Sequence, residues 1–220
     1  MVLDELLAVV AREYATMPAA SRSWPDPHPD RLPAPKEEYS RVTVPERYQV
    51  VGARADAWER ALVGLGLASV EPADAPADWN VPRDATATCL TPVADGALPL
   101  IVVRGSFENT PQTVITLGVG GDEPVYVGIQ PDCGCDACDN GSDDLLEAID
   151  DEYLSVIAQS FVQITGHGWS AHTTYGGWSG IGKVPRNLDE LVAAAREGRA
   201  TEERVLIGAP WIPGPAELTS

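Results

Sequence analysis

Cys133, Cys135 and Cys138 fall within six positions of the stretch QPDCGCDACDNGSDDLLEAIDD, Gln130 to Asp151, which also carries eight carboxylates and no basic residue. Thiols spaced CxCxxC can hold a metal, cycle between thiol and disulfide, or stay free. The surrounding carboxylates disfavour a thiolate, so an activated nucleophile of the papain type does not fit, whereas a bound cation reverses that balance. Zinc takes three thiolates at about 2.3 Å and one further ligand. Three thiolates leave the cluster net negative, so a neutral fourth ligand, His167, His172 or water, is preferred electrostatically. Cys89 is the remaining thiol, but the alternation in TATCLT puts it on the face of Ala85 and Ala87, in the core. With no second CxxC downstream, three readings stay open: structural Zn2+ on Cys133, Cys135 and Cys138, a disulfide or thiol switch, and free thiols. The aspartates Asp136, Asp139, Asp143 and Asp144 lack the alternating spacing of a calcium loop and suit turn and helix-start positions.

Other catalytic patterns fail on inspection. Gly177 to Lys183 matches GxxxxGK, but Val184 stands where a phosphate-binding loop needs a hydroxyl, and Pro185 interrupts the helix that should follow. The zinc deaminase pattern needs an HxE pair upstream, and the only upstream histidine, His28, is followed by Pro29 in a proline-rich loop. No GxSxG element is present. In ITGHGWSAHTTYGGWSGIG, the aromatics Trp169, Tyr175 and Trp178 suit either a ligand groove or the closed end of a core, and His167 and His172 read first as core or turn residues.

The elements that would position these residues follow from periodicity. Leu3, Leu6, Leu7, Val10, Tyr14 and Met17 mark a first helix that Pro18 ends. From Pro18 to Pro45 the chain holds seven prolines, which predicts an extended surface segment anchored by Trp24 and Leu32. Tyr48, Val51, Ala55, Trp58, Leu62 and Leu65 mark a second helix, started near Pro45 and stopped at Gly66. After the loop EPADAPADWNVP, alternation predicts strands at Thr86 to Leu90, Leu100 to Phe107, Thr113 to Val119 and Val125 to Ile129, joined as an antiparallel meander. The cysteine stretch follows, with Gly134 allowing a sharp bend and Ser142 placed to cap a third helix. Strands at Phe161 to Thr165 and Trp169 to Tyr175, a Gly-rich turn, a helix from Leu188 to Arg196 capped by Asn187, and an irregular tail GAPWIPGPAELTS complete the chain. The fold class is α+β: an antiparallel sheet packed with three or four helices in a single domain over residues 1–220.

A formal charge of -18 on 220 residues is extreme, and the span from Gly105 to Gly182 carries twelve Asp or Glu and no Lys or Arg. Such a field repels phosphates and anionic headgroups, which excludes nucleic acid and membrane surfaces as partners. A basic protein is the partner the charge favours, as for an immunity or antitoxin protein, and a homo-oligomer is compatible with it. No run of about 18 apolar residues is present to span a bilayer, and the N-terminus reads as an amphipathic helix rather than a signal peptide. These features place the protein in the cytoplasm, where reducing conditions shift clustered cysteines toward metal or redox chemistry.

The segment PDCGCDACDNGSDDLLEAIDD, with its CGCDACD core, a following Gly-Ser and an acidic amphipathic helix, resembles the signature of a family of uncharacterised actinobacterial proteins. The resemblance implies no activity directly. It agrees with a composition of thirteen Arg to two Lys and abundant Ala, typical of a GC-rich genome. The expectation is therefore a non-catalytic cytoplasmic protein with a structural zinc loop, an acidic protein-binding module being the alternative. A zinc-dependent enzyme is the third reading, and it would need an open coordination position beside an acid or base.

Overall fold

The computed structural model describes residues 3–30, 33–76, 79, 84–121, 123–199 and 202–212. Leu32, expected as an anchor, most of the loop at 77–83 and the tail beyond Ile212 lie outside the described residues. Among the described residues, four α-helices, α1 (Leu3–Ala15), α2 (Gln49–Gly64), α3 (Ser142–Ile157) and α4 (Leu188–Arg196), accompany two antiparallel sheets. The first has the order β1 (Ala68–Ala73), β2 (Thr86–Pro92), β3 (Leu100–Phe107), β4 (Thr110–Val119), β5 (Val125–Gln130). The second runs β8 (Gly177–Gly182), β7 (Trp169–Thr174), β6 (Phe161–Gly166), β9 (Arg204–Gly208). The α+β class and the meander match expectation. The strands after α3 pair with one another, and β6 with β9, so that they form a second antiparallel sheet beside the meander. No helix among the described residues is long and apolar enough to cross a membrane.

Helix α2 organises the main core. Val51, Ala55, Trp58 and Leu62 are wholly buried on it, and its small residues bring neighbours close, with Gly52 lying against the backbone of Gln112. It packs on β4, α1 and α3. The Trp58 indole stacks on Tyr153 of α3 at 4.9 Å and donates to Asp150 at 2.8 Å, while Arg54 pairs with the same carboxylate. Burying a side chain of this kind contributes about 3 kcal/mol. At its end Gly66 adopts φ 69°, and Leu67 donates back to the Leu62 carbonyl at 2.9 Å, the Schellman arrangement that satisfies orphan carbonyls.

Three expectations need correction. The Gly-rich segment at 177–182 is strand β8, paired along its length with β7, which also removes any phosphate-binding loop there. Ser142 is the first residue of α3 rather than its cap. Gly141 takes the cap position at φ 95°, where an added Cβ would press on the Asp26 backbone. Asn187 does hold the cap position of α4, as expected, but its side chain makes no capping hydrogen bond. The irregular tail has a structural role: Trp211 and Ile212 are buried in the core, and both backbone N–H groups donate to the Ile157 carbonyl at the end of α3.

One polar contact between α3 and β5 carries a cost. Because Gly128 has no side chain, the Glu152 carboxyl lies in the space a Cβ would fill. Its Oε1 accepts from Gln130 Nε2 at 2.8 Å, while Oε2 is buried with no hydrogen-bond partner among the described residues. Burial pushes this carboxyl up from 4.5 to about 7, with the Asp132 charge adding and the Gln130 bond opposing. A raised carboxyl pKa means that the fold favours the protonated form, a stabilisation complete below pH 4.5 and lost as pH rises through about 7. Glu152→Gln is therefore expected to gain about 3 kcal/mol relative to wild type between acid and mildly alkaline pH, read by urea denaturation at each pH. A stability difference that stays flat across this range would contradict the buried, unpartnered carboxyl.

Candidate metal centre

The chain leaves β5 at Gln130 and enters α3 at Ser142 through the cysteine turn, whose middle, Asp136–Cys138, is a single 3-10 turn. The Cys138 N–H donates to the Cys135 carbonyl at 3.0 Å, folding the CxxC part back on itself. Gly134 matters for a different reason from the expected bend: a Cβ there would overlap the Phe107 ring. The turn therefore lies flat against the end of β3.

This geometry gathers the three predicted thiols. The Sγ atoms of Cys133, Cys135 and Cys138 all lie within 4.8 Å of one another, and Cys133 donates its S–H to Cys135 across 3.3 Å. Cys135 is buried, whereas Cys133 and Cys138 are exposed. Burial alone would raise the Cys135 pKa, but bonds from Cys133, the Ser40 backbone N–H and Cys138 outweigh it and bring it down to about 7. Cys138, which donates to Cys135, holds its proton up to about 12. Of these two thiols, the buried one ionises more readily. Sulfurs bonded at 2.3 Å to a tetrahedral zinc sit about 3.8 Å apart, so the triad needs displacements of only about 1 Å to close on an ion.

The fourth ligand is not supplied by the predicted residues: among the described residues, the group able to hold a metal comprises these three cysteines alone. His172 is on β7, its ring stacked on Phe161 and bonded to the Val127 backbone, and burial lowers its pKa. His167 is exposed in the β6–β7 turn. Cys89 packs with Ala87, Ile101 and Val103, as its strand alternation predicts. A cleft of about 100 Å³ instead opens beside Cys133 and Cys138, lined by Tyr48, Gln130, Asp132, Asn140 and Asp144 among others.

What holds the turn was not visible in the sequence. Asp136 accepts from Arg41 Nε at 2.8 Å, from the Thr43 N–H at 3.0 Å and from the Thr43 hydroxyl, contacts that outweigh its desolvation and hold its carboxyl at about 2. Asp139, almost wholly buried, accepts from the Trp24 indole at 2.9 Å, the Gly141 N–H at 2.9 Å and Arg47 at 2.9 Å. The Arg47 guanidinium in turn lies over the rings of Trp24 and Tyr48, 5.3 and 4.9 Å from their centroids. Ser142 closes the strap, with its N–H donating to the Trp24 carbonyl at 3.0 Å and its hydroxyl accepting from the Trp24 N–H. The expected surface segment is therefore a strap clamped onto the turn, anchored at Trp24 as predicted. The one legible trace of this was the segregation of charge, with arginines at 41, 47 and 54 ahead of an acidic span that has none.

These features define an α+β protein whose distinguishing site is a three-cysteine turn between a strand and a helix. The chain belongs to a family described as one of unknown function, DUF6226, which it matches over residues 10–215. No curated protein and no solved structure matches the chain.

Removing the strap's cation tests how firmly the turn is held. Arg47→Ala leaves the buried Asp139 carboxylate uncompensated and is expected to destabilise the protein by about 3 kcal/mol. It should also raise the rate at which iodoacetamide alkylates Cys135 at least tenfold, measured by mass spectrometry. A wild-type denaturation midpoint with unchanged alkylation would show that strap and turn are uncoupled.

Proposed function

We propose that Cys133, Cys135 and Cys138 bind one zinc ion that braces the β5–α3 turn, and that the protein is a non-catalytic cytoplasmic domain rather than an enzyme. The observation that carries this reading is the convergence of three sulfurs on a turn already held by Arg41, Arg47 and Trp24. A preorganised ligand set lowers the entropic cost of binding. The neighbouring cleft leaves room for water as fourth ligand. Three thiolates make the zinc site net negative, and Asp132 and Asp144 beside the cleft add to that charge. Around a zinc ion held there, this charge would disfavour ionisation of a bound water, which argues for bracing over hydrolytic chemistry. Protein purified without a histidine tag should hold one zinc per chain, and stripping the metal with a chelator should lower Tm by several degrees, as should Cys135→Ser. Less than about a tenth of an equivalent of metal would contradict the assignment.

A second reading is supported by the solvent face of α3, where Asp143, Asp144, Glu147 and Asp151 are all exposed and none has an arginine partner among the described residues like those of Asp136 and Asp139. Burial and the repulsion of Glu147 and Asp150 raise the Asp151 pKa, the mark of unrelieved like charge. This stripe suits a basic protein partner. Wild-type protein should capture a basic protein from lysate in a salt-sensitive manner, and a variant with the four carboxylates changed to amides should not. Equal capture by both proteins would sink this reading.

A further inference from the structure

One feature left unexplained by the cysteine turn is a cavity of about 330 Å³ where α3 meets both sheets, lined by Val127 of β5, Ala148, Glu152 and Ser155 of α3, His172 of β7 and Tyr175. Its volume lies in the range of small-ligand sites, and it sits at a junction of elements where such sites form. The chemistry of its wall is one-sided. Among the described residues no Lys or Arg lines it, and Asp151 adds a second carboxylate to Glu152. Ser155 spends its proton on the Glu152 backbone carbonyl at 2.7 Å, leaving its oxygen as an acceptor. The His172 ring donates to the Val127 backbone carbonyl, and burial favours its neutral form, so its other nitrogen is an acceptor too. Val127, Ala148 and the Tyr175 ring supply apolar surface. Glu152 is fixed in place by Gln130 and by the absence of a side chain at Gly128, yet one of its oxygens has no partner among the described residues. A buried carboxylate in that condition is costly, and a positive charge held in the cavity beside it would offset that cost.

We infer that this cavity binds a small organic cation, an ammonium or amidinium carried on an apolar body, with the Glu152 carboxylate as counter-ion. The inference is independent of any metal at the cysteine turn. The raised pKa of Glu152 agrees with a carboxylate that lacks its cation.

Benzylammonium serves as the probe, titrated into the full-length protein at about pH 8 and followed through backbone amide shifts in NMR spectra. Expected is a Kd of about 1 mM or tighter, with shifts centred on Val127, Ala148 and Thr174. Benzyl alcohol, the neutral isostere, and benzoate should each bind at least tenfold more weakly, and Glu152→Gln should weaken benzylammonium by a similar factor. Comparable binding of benzyl alcohol, shifts confined to other parts of the protein, or no shift at about 10 mM probe would each overturn the inference. The comparison among the three probes uses wild-type protein and decides the matter even if the variant folds poorly.

Discussion

The arrangement of this protein around its cysteines depends on one ion pair, Arg47 with the buried carboxylate of Asp139 at 2.9 Å. A carboxylate this deeply buried costs several kcal/mol unless it is paired and hydrogen-bonded, and here the guanidinium, an indole N–H and a backbone N–H together satisfy it. Because Arg47 also lies over Trp24 and Tyr48, the pair ties three separate parts of the chain to one point. The strap, the start of α2 and the turn ahead of α3 are all fixed by it. The sulfurs converge because that turn has few other conformations open to it.

The acidity of the chain looks different once folded. Along the sequence, the span after Gly105 is a block of uncompensated charge. In the fold, arginines from 41 to 54 are laid onto it, and Arg104 reaches Asp56 and Glu59 of α2 in the same way. The pairs are shielded from water to different degrees and serve to fix register between elements, while Asp143, Asp144, Glu147 and Asp151 stay at the solvent face of α3. Self-compensation inside and repulsion outside are thus separated in space. The carboxylates of one short stretch divide accordingly: Asp136, Asp139 and Asp150 are structural, whereas Asp143, Asp144, Glu147 and Asp151 face solvent.

Much of the architecture was legible in the sequence where the signal is local. The seam on α2, the buried face of α3 and the alternation in β2 through β5 each declare their period within one element. By contrast, β9 forms only because it pairs with β6 some forty residues earlier, and β8 carries glycines and exposed residues that leave no alternation to detect. β1 was missed for a related reason, since Glu71 and Pro72 look like loop residues and are tolerated on an edge strand. At the site, the three cysteines could be picked by residue type and spacing. Their supports could not, because Trp24, Arg41 and Arg47 lie more than ninety residues upstream of Asp139 or Asp136, and nothing local marks them as partners. The histidines were plausible ligands by chemistry alone, and the pairing of β7 with β6 and β8 carries them elsewhere.

The central claim, that the braced turn is a thiolate metal site, is tested most directly by X-ray absorption at the zinc edge on protein purified without added metal. The account predicts a first shell of three sulfur atoms at about 2.3 Å with one lighter scatterer, oxygen or nitrogen, in the fourth position. A zinc shell made only of oxygen and nitrogen, or the absence of a zinc edge from the folded protein, would contradict it.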